Sequence, residues 1–203
     1  EVGSYNYWRW QVLCEGNYCE LVGSIFTTDN IHFTQLSEEE LKKLNNIIIF
    51  ADPSKSTGHD YFALTLTGID NDGNMILIDS FSENKIHRKL IADQIRNWQR
   101  KYNVERTFIE TNGEIGKSFY NDCINNEIAV NGWYSKNKKF DRIMANYETI
   151  TNRVFFQDNV NNRNFVKQIY LFKDTNEAKE ELHDDNIDCL NSAIIAYKSL
   201  YKM

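Results

Sequence analysis

Five acidic residues in three widely separated stretches have the types and spacing for metal chemistry: Asp52, Glu110 and the group Asp184, Asp185 and Asp188. Each stretch is a place where an apolar element meets a polar connection. Carboxylates that converge on one point repel one another unless cations neutralise them, and oxygen ligands favour Mg²⁺ or Mn²⁺ over Zn²⁺. Two such ions about 3.5 to 4 Å apart activate a water and stabilise a leaving oxygen, so phosphoryl chemistry is the leading class.

Hydrophobic runs separated by turn residues predict the sheet that must position these acids. Its predicted strands are Asn46–Ala51, Tyr61–Ile69, Asn74–Asp79, Val104–Glu110 and Ile128–Tyr134. Apolar residues at helical spacing predict helices within 86–102, 119–124, 143–150, 165–172 and 187–201. A further short strand is predicted at Val154–Phe156, and Ser37 with Glu40 forms a capping box that marks a helix start. The pattern indicates an α/β fold, a mixed five-stranded sheet with helices on both faces.

Asp52 and Glu110 follow or end the first and fourth predicted strands. A right-handed helical crossover brings the fourth strand beside the first and parallel to it. Ligands of such sheets bind outside the carboxyl ends of the strands, where the strand order switches. Neighbouring strands are about 4.8 Å apart, so we expect the two carboxylates to share a cation.

The last predicted helix supplies the remaining acids. Asp185 and Asp188 are three residues apart, so they are neighbours on the helix surface. Each acid also has a structural interpretation: Asp52 before Pro53 as a turn former, Glu110 as a solvated charge, and Asp184 or Asp185 as a helix cap. All of these structural interpretations together would require a coincidence of position.

Composition and charge restrict the protein class. The 203 residues are 41% hydrophobic, enough for a sizeable core, and no apolar run approaches the roughly 18 residues of a membrane span. We expect a soluble, intracellular protein, and the four cysteines lack the spacing of a zinc site. A net charge of −6 argues against general nucleic-acid binding. One basic loop departs from this balance, and its cations are Lys136, Lys138, Lys139 and Arg142. Its structural interpretation is a solvated surface loop, and composition alone leaves both interpretations open.

A glycine-containing segment, 113–118, imitates a phosphate-binding P-loop. The earlier glycine that such a loop requires would fall at Thr111, and Glu110 and Glu114 would place negative charge beside the phosphates. We therefore expect no nucleotide site and no ATPase activity from this chain by itself.

The order of several motifs resembles the nuclease half of the large terminase subunit of tailed bacteriophages and related viruses. The motifs are Asp52-Pro53-Ser54, Gly58-x-Asp60, Glu110-x-Asn112-x-x-x-Gly116, Lys139-Phe140-Asp141-Arg142-Ile143 and His183-Asp184-Asp185-x-x-Asp188. The resemblance runs from about residue 46 to 203. It implies a ribonuclease-H-like fold and a metal-dependent endonuclease that cuts double-stranded viral DNA concatemers during genome packaging.

The resemblance also implies roles for individual residues. Asp52 and Glu110 carry over as ligands of Mg²⁺ or Mn²⁺ in a two-metal site, with either Asp185 or Asp188 as the third ligand and Asp184 just behind them. The basic loop would hold DNA phosphates, which positions DNA without reading its sequence. Residues 1–46, with Trp8 and Trp10, resemble the end of the motor half and its linker, and 47–203 the nuclease domain.

The resemblance also implies the partners: double-stranded DNA, an upstream ATPase motor domain of the same polypeptide, a portal and a small terminase subunit. It implies that the protein acts in the host cell cytoplasm during viral assembly and has no membrane partner. Two alternatives stay open. One is another ribonuclease-H-like DNA nuclease, such as a junction resolvase or transposase. The other is a non-catalytic packaging module that docks to the portal and uses its acids as surface charge.

Overall fold

A seven-stranded mixed sheet forms the centre of the structure, a computed structural model that describes residues 24–53, 61–84, 86–173 and 184–201. The strands are β1 (His32–Thr34), β2 (Asn45–Asp52), β3 (Phe62–Ile69), β4 (Met75–Glu83), β5 (Arg106–Glu110), β6 (Asn131–Trp133) and β7 (Val154–Gln157). The helices of the described ranges are α1 (Glu38–Leu41), α2 (Arg88–Lys101), α3 (Glu114–Asn125), α4 (Lys139–Met144), α5 (Tyr147–Arg153), α6 (Val160–Ile169) and α7 (Asp185–Tyr201).

The strand order is β1-β7-β4-β3-β2-β5-β6. Strand β3 runs antiparallel to β2 and β4, while β5 is parallel to β2 and β6 is parallel to β5. The predicted crossover is therefore present, because the chain leaves β4, passes through α2 and returns as β5 beside β2. Ala51 pairs with Ile109, so Asp52 and Glu110 lie next to each other at the carboxyl ends of β2 and β5. The side of the sheet where these ends lie is its carboxyl edge.

Strand β2 is buried on both faces because its apolar residues are consecutive. Ile48 and Phe50 belong to one core, which packs under α6 and α7. Ile47 and Ile49 belong to the other core, which packs under α2 and α3. The predicted arrangement of an α/β sheet covered on both faces is thus confirmed.

The predicted count of five strands is two too low. Strand β7 is the short strand predicted at Val154–Phe156, and it joins the sheet beside β4. Strand β1 has only three residues and is held by pairing with β7, so it has no periodicity of its own from which to predict it. The predicted helix over 143–150 is in fact α4 and α5, and the buried Asn146 separates them and donates to Asn191 Oδ1 at 2.8 Å.

Part of the range predicted as an arm contributes to the folded unit. Phe26 and Ile31 are buried in the core under α6 and α7. The predicted capping box is present, with the Ser37 hydroxyl accepting from the Glu40 amide and the Glu40 carboxylate accepting from the Ser37 amide. Predictions that fall outside the described residues are those on Trp8, Trp10, Ser54, Gly58, Asp60 and His183. Within the described ranges, no helix is both long enough and apolar enough to cross a membrane.

Candidate metal centre

Three carboxylates from distant parts of the chain meet at the carboxyl edge of the sheet. Asp52 ends β2, Glu110 ends β5 and Asp188 lies in the first turn of α7. One carboxylate oxygen from each lies within 4.8 Å of the other two. Oxygen atoms this close, all from acids, are a suitable donor set for a hard divalent cation.

Helix α7 brings Asp188 to this point because the helix is anchored along its length. Its apolar residues Ile187, Leu190 and Ile194 are buried against the sheet. Near its other end, the Tyr197 hydroxyl lies 2.6 Å from the carbonyl oxygen of Asn46 and 2.8 Å from that of Thr67. The side chain of Asp188 is consequently only 3% exposed.

A glycine fixes the position of Glu110 from the other side. Gly116 lies in the first turn of α3, where a Cβ atom would overlap the carbonyl oxygen of Glu110. Only glycine permits this close approach of helix and strand. The glycine of the Glu110-x-Asn112-x-x-x-Gly116 motif therefore serves packing, and Lys117 of the P-loop lookalike pairs with Glu114 at 3.0 Å.

The electrostatics of the three acids favour a bound cation. Burial raises the pKa of Asp52 well above its usual value, and the neighbouring Glu110 and Asp188 raise it further. Burial also raises the pKa of Glu110, as does Asp188. Among the described residues, the buried Oε2 atom of Glu110 has no hydrogen-bond partner. A bound cation would satisfy this atom and relieve the repulsion.

The two candidates for the third ligand have different surroundings. Asp188 completes the group of converging oxygens, whereas Asp185 is not a member of it. Asp185 accepts from the backbone amide of Tyr61 at 2.9 Å and contacts Lys139 Nζ at 3.3 Å, and burial raises its pKa. Asp184 lies 2.7 Å from the same ammonium. In this structure Asp188 is therefore the third candidate ligand, and Asp184 and Asp185 stand beside it.

The four cations predicted to bind DNA separate into two pairs. Lys136 and Lys138 are exposed in the loop between β6 and α4. Lys139 and Arg142 instead point to the acids: Lys139 contacts Asp184, Asp185 and Asp188, and Arg142 Nη2 binds Asp188 Oδ1 at 2.6 Å. Burial alone would lower the pKa of Lys139, but the three carboxylates outweigh it and raise that pKa.

Sequence reasoning missed this pairing of cations with acids. The signal available was the spacing of Lys139 and Arg142, which are three residues apart and so share one face of a helix. A lysine and an arginine on one face, in a chain with several unpaired acids, indicate an internal ion-pair partner as well as a DNA contact.

The fold resembles that of solved terminase structures. The nuclease domain of the bacteriophage SPP1 large terminase, solved with bound Mn, aligns with a TM-score of 0.60 at 16% identity, over 82% of this chain and 96% of that one. The large terminase nuclease of thermophilic phage G20c aligns with a TM-score of 0.59 at 14% identity, over 88% and 99%. No curated protein matches the chain.

A longer protein is among the similar structures. The large terminase of another thermophilic bacteriophage aligns with a TM-score of 0.62 at 10% identity, over 97% of this chain, and this chain spans only 52% of it. At these identities the alignments establish a shared RNase H-like fold. The family is shown by the match of residues 49–197 to the model of the terminase RNaseH-like domain. The chain is therefore a member of the terminase RNaseH-like domain family.

Proposed function

We propose that this chain is a divalent-metal-dependent endonuclease that cleaves double-stranded viral DNA concatemers during genome packaging. The observation that carries the proposal is the convergence of Asp52, Glu110 and Asp188 within 4.8 Å. The Oε2 atom of Glu110, which has no hydrogen-bond partner in the part of the chain that the structure describes, would be satisfied by a cation at this site. Family membership supports DNA as the substrate, because this domain family is that of terminases.

Mg²⁺ or Mn²⁺ is the proposed cofactor, held by Asp52, Glu110 and Asp188 with Asp185 beside them. When bound, such ions activate the attacking water and stabilise charge on the leaving oxygen. The reaction is hydrolysis: a water oxygen bonds to phosphorus, one phosphorus–oxygen bond of the DNA backbone breaks, and the leaving oxygen gains a proton. The contribution of Arg142 is positional, because its bond to Asp188 Oδ1 at 2.6 Å restrains that carboxylate.

DNA phosphates are proposed to contact the loop after β6. This loop reaches the same edge as the acids, because β6 is parallel to β5 and Trp133 pairs with Glu110. Lys136 and Lys138 are exposed there and free of described ion pairs. The predicted DNA contacts of Lys139 and Arg142 stay predictions; in the structure these two side chains form ion pairs with Asp188.

The remaining partners are proposals of the same kind. The longer of the large terminases described above is about twice the length of the part that this chain matches. We therefore infer that this chain acts as the nuclease part of a longer polypeptide with an ATPase motor domain upstream. Contact with a portal and a small terminase subunit, in the host cytoplasm during assembly, follows from that role.

A plasmid-nicking assay tests the proposal. We expect relaxed and linear products with Mn²⁺ or Mg²⁺, no cleavage with EDTA, and no cleavage by Asp52→Asn or Asp188→Asn. The control is Asp72→Asn, which removes one acidic charge from the exposed β3–β4 turn. A wild-type protein that does not respond to either metal would favour the portal-docking alternative. Preferential cleavage of four-way junctions over plain duplex would favour a resolvase.

A further inference from the structure

The ammonium group of Lys139 is enclosed by three carboxylates of the same site. Its Nζ atom lies 2.7 Å from Asp184 Oδ1, 3.3 Å from Asp185 Oδ1 and 3.7 Å from Asp188 Oδ2. Only 32% of the lysine side chain is exposed. Three carboxylates thus surround one positive charge that the chain itself supplies, where a bound cation would find the same type of ligand.

Lys139 is held in place by its helix and not by its charge alone. The Phe140 ring stacks on Phe172 with centroids 5.8 Å apart, and Ile143 is fully buried in the core. Arg142 binds Asp188 and also donates to the carbonyl oxygen of Asn137 at 2.9 Å. Contacts of three side chains therefore hold helix α4 in place, and they set the position from which the Lys139 side chain reaches the acids.

Asp188 belongs to both cation positions. One of its oxygens converges with those of Asp52 and Glu110, and its Oδ2 atom lies 3.7 Å from the Lys139 ammonium. In two-metal sites the ions are about 3.5 to 4 Å apart and lie on either side of the reacting phosphate. The Lys139 ammonium therefore shares the Asp188 carboxylate with the Asp52–Glu110–Asp188 group, which puts a fixed positive charge beside the position of the first ion.

We propose that Lys139 occupies the second cation position of this site, so that the chain holds one divalent ion at Asp52, Glu110 and Asp188 and binds a second only by displacing the lysine. This inference rests on the proposed metal-dependent function and adds to it the number of ions bound at rest. The two-ion site expected from the sequence would then form only when Lys139 moves.

The charge balance of the site supports one ion. The five carboxylates at 52, 110, 184, 185 and 188 carry five negative charges when ionised, and Lys139 and Arg142 supply two positive ones. With Lys139 and Arg142 in place, one divalent ion therefore leaves the site with a net charge of minus one, whereas two divalent ions give it a net positive charge. Like charges at this separation repel, and the effect is strong where water is partly excluded.

Mn²⁺ binding to the purified chain tests this inference without relying on catalysis. Isothermal titration calorimetry of the wild type is expected to show one ion per chain, with any second ion at least about tenfold weaker. Lys139→Met removes the ammonium and keeps most of the side chain, so the second ion should tighten by at least about tenfold. Lys139→Gln repeats the test with a polar side chain should the methionine variant not fold.

Lys101→Met is the matched control, because Lys101 also pairs with a carboxylate, Glu38, at 3.0 Å, but away from the acidic site. It should bind Mn²⁺ as the wild type does. Equal affinity for the second ion in wild type and both Lys139 variants, with wild-type cleavage intact, would overturn the lysine assignment and leave the nuclease proposal standing. Absence of Mn²⁺ binding and of cleavage in every protein would overturn both.

Discussion

Replacing Asp52 by asparagine should make the metal-free protein more stable while it removes a proposed metal ligand. Asp52 lies with Glu110 and Asp188 in a group in which one carboxylate oxygen of each lies within 4.8 Å of the other two. At that distance two unit charges repel by about 3.5 kcal/mol at an effective permittivity of ~20. Lys139 offsets part of this repulsion. We therefore expect Asp52→Asn to raise the free energy of unfolding by about 1 to 2 kcal/mol.

The pH dependence of this gain has a definite sign. The folded chain raises the pKa of Asp52 through burial and then through Glu110 and Asp188. A carboxyl group whose pKa is higher in the folded than in the unfolded chain causes no loss of stability below the unfolded-state pKa. As pH rises through the folded-state pKa, the folded chain loses stability because the buried carboxylate becomes charged. Asparagine does not titrate, so the stability difference between variant and wild type should be small near pH ~4 and larger near pH ~7.

Thermal unfolding in EDTA measures this difference. For a domain of this size, 1 to 2 kcal/mol corresponds to a rise in Tm of about 2 to 8 °C. With Mn²⁺ at about 100 times its Kd, the wild type should gain about 2.7 kcal/mol and overtake the variant. Asp72→Asn, in the exposed turn, should shift neither curve. A lower Tm for Asp52→Asn in EDTA at pH ~7 would refute the reasoning that repulsion dominates at this site.

Three further changes test the packing, the DNA surface and the sheet. Gly116→Ala should lower stability by about 1 to 3 kcal/mol in urea unfolding and weaken Mn²⁺ binding, because its Cβ displaces the carbonyl of Glu110; unchanged metal affinity would contradict this. The double variant Lys136→Ala with Lys138→Ala should weaken DNA binding in fluorescence anisotropy and lower the salt slope by about 2, and an unchanged slope would return the loop to a solvated surface. The amide of the fully buried Asn162 donates to the carbonyl oxygens of Leu77 and Gln157 at 2.9 and 2.8 Å, so Asn162→Ala should lower the urea midpoint by the equivalent of about 2 to 4 kcal/mol; a loss below about 1 kcal/mol would show that water replaces these bonds.

The central strands and their acids could be predicted because each depends on a local pattern. The run 46–51 is apolar without interruption after its first residue, which is typical of a doubly buried strand, and it forms the core of β2. The turn at 70–73 and the crossover rule then placed Asp52 and Glu110 on neighbouring strands. The prediction that these two acids are neighbours needed only the order of the strands and the apolar run that marks a buried strand, and both are visible in the sequence.

The rest depends on contacts that the sequence does not encode locally. Strand β1 exists because β7 offers it a partner, so three residues with no periodicity become part of the sheet. Asp188 joins the converging acids and Asp185 instead accepts from the Tyr61 amide. Which of the two joins depends on the rotation of α7 about its axis, and a spacing of three residues does not determine that rotation. The position of Lys139 among acids depends on how α4 packs on α7, and the composition of the basic loop gave no sign of that.

Asp52, Glu110 and Asp188 come from β2, β5 and α7, and α7 follows all seven strands in the chain. A polypeptide still emerging from the ribosome has no Asp188 until α7 is made. Any hydrolytic activity that needs all three carboxylates must therefore wait for translation to pass that helix. The proposed nuclease would in this way be inactive toward nearby nucleic acid until its last helix has been made.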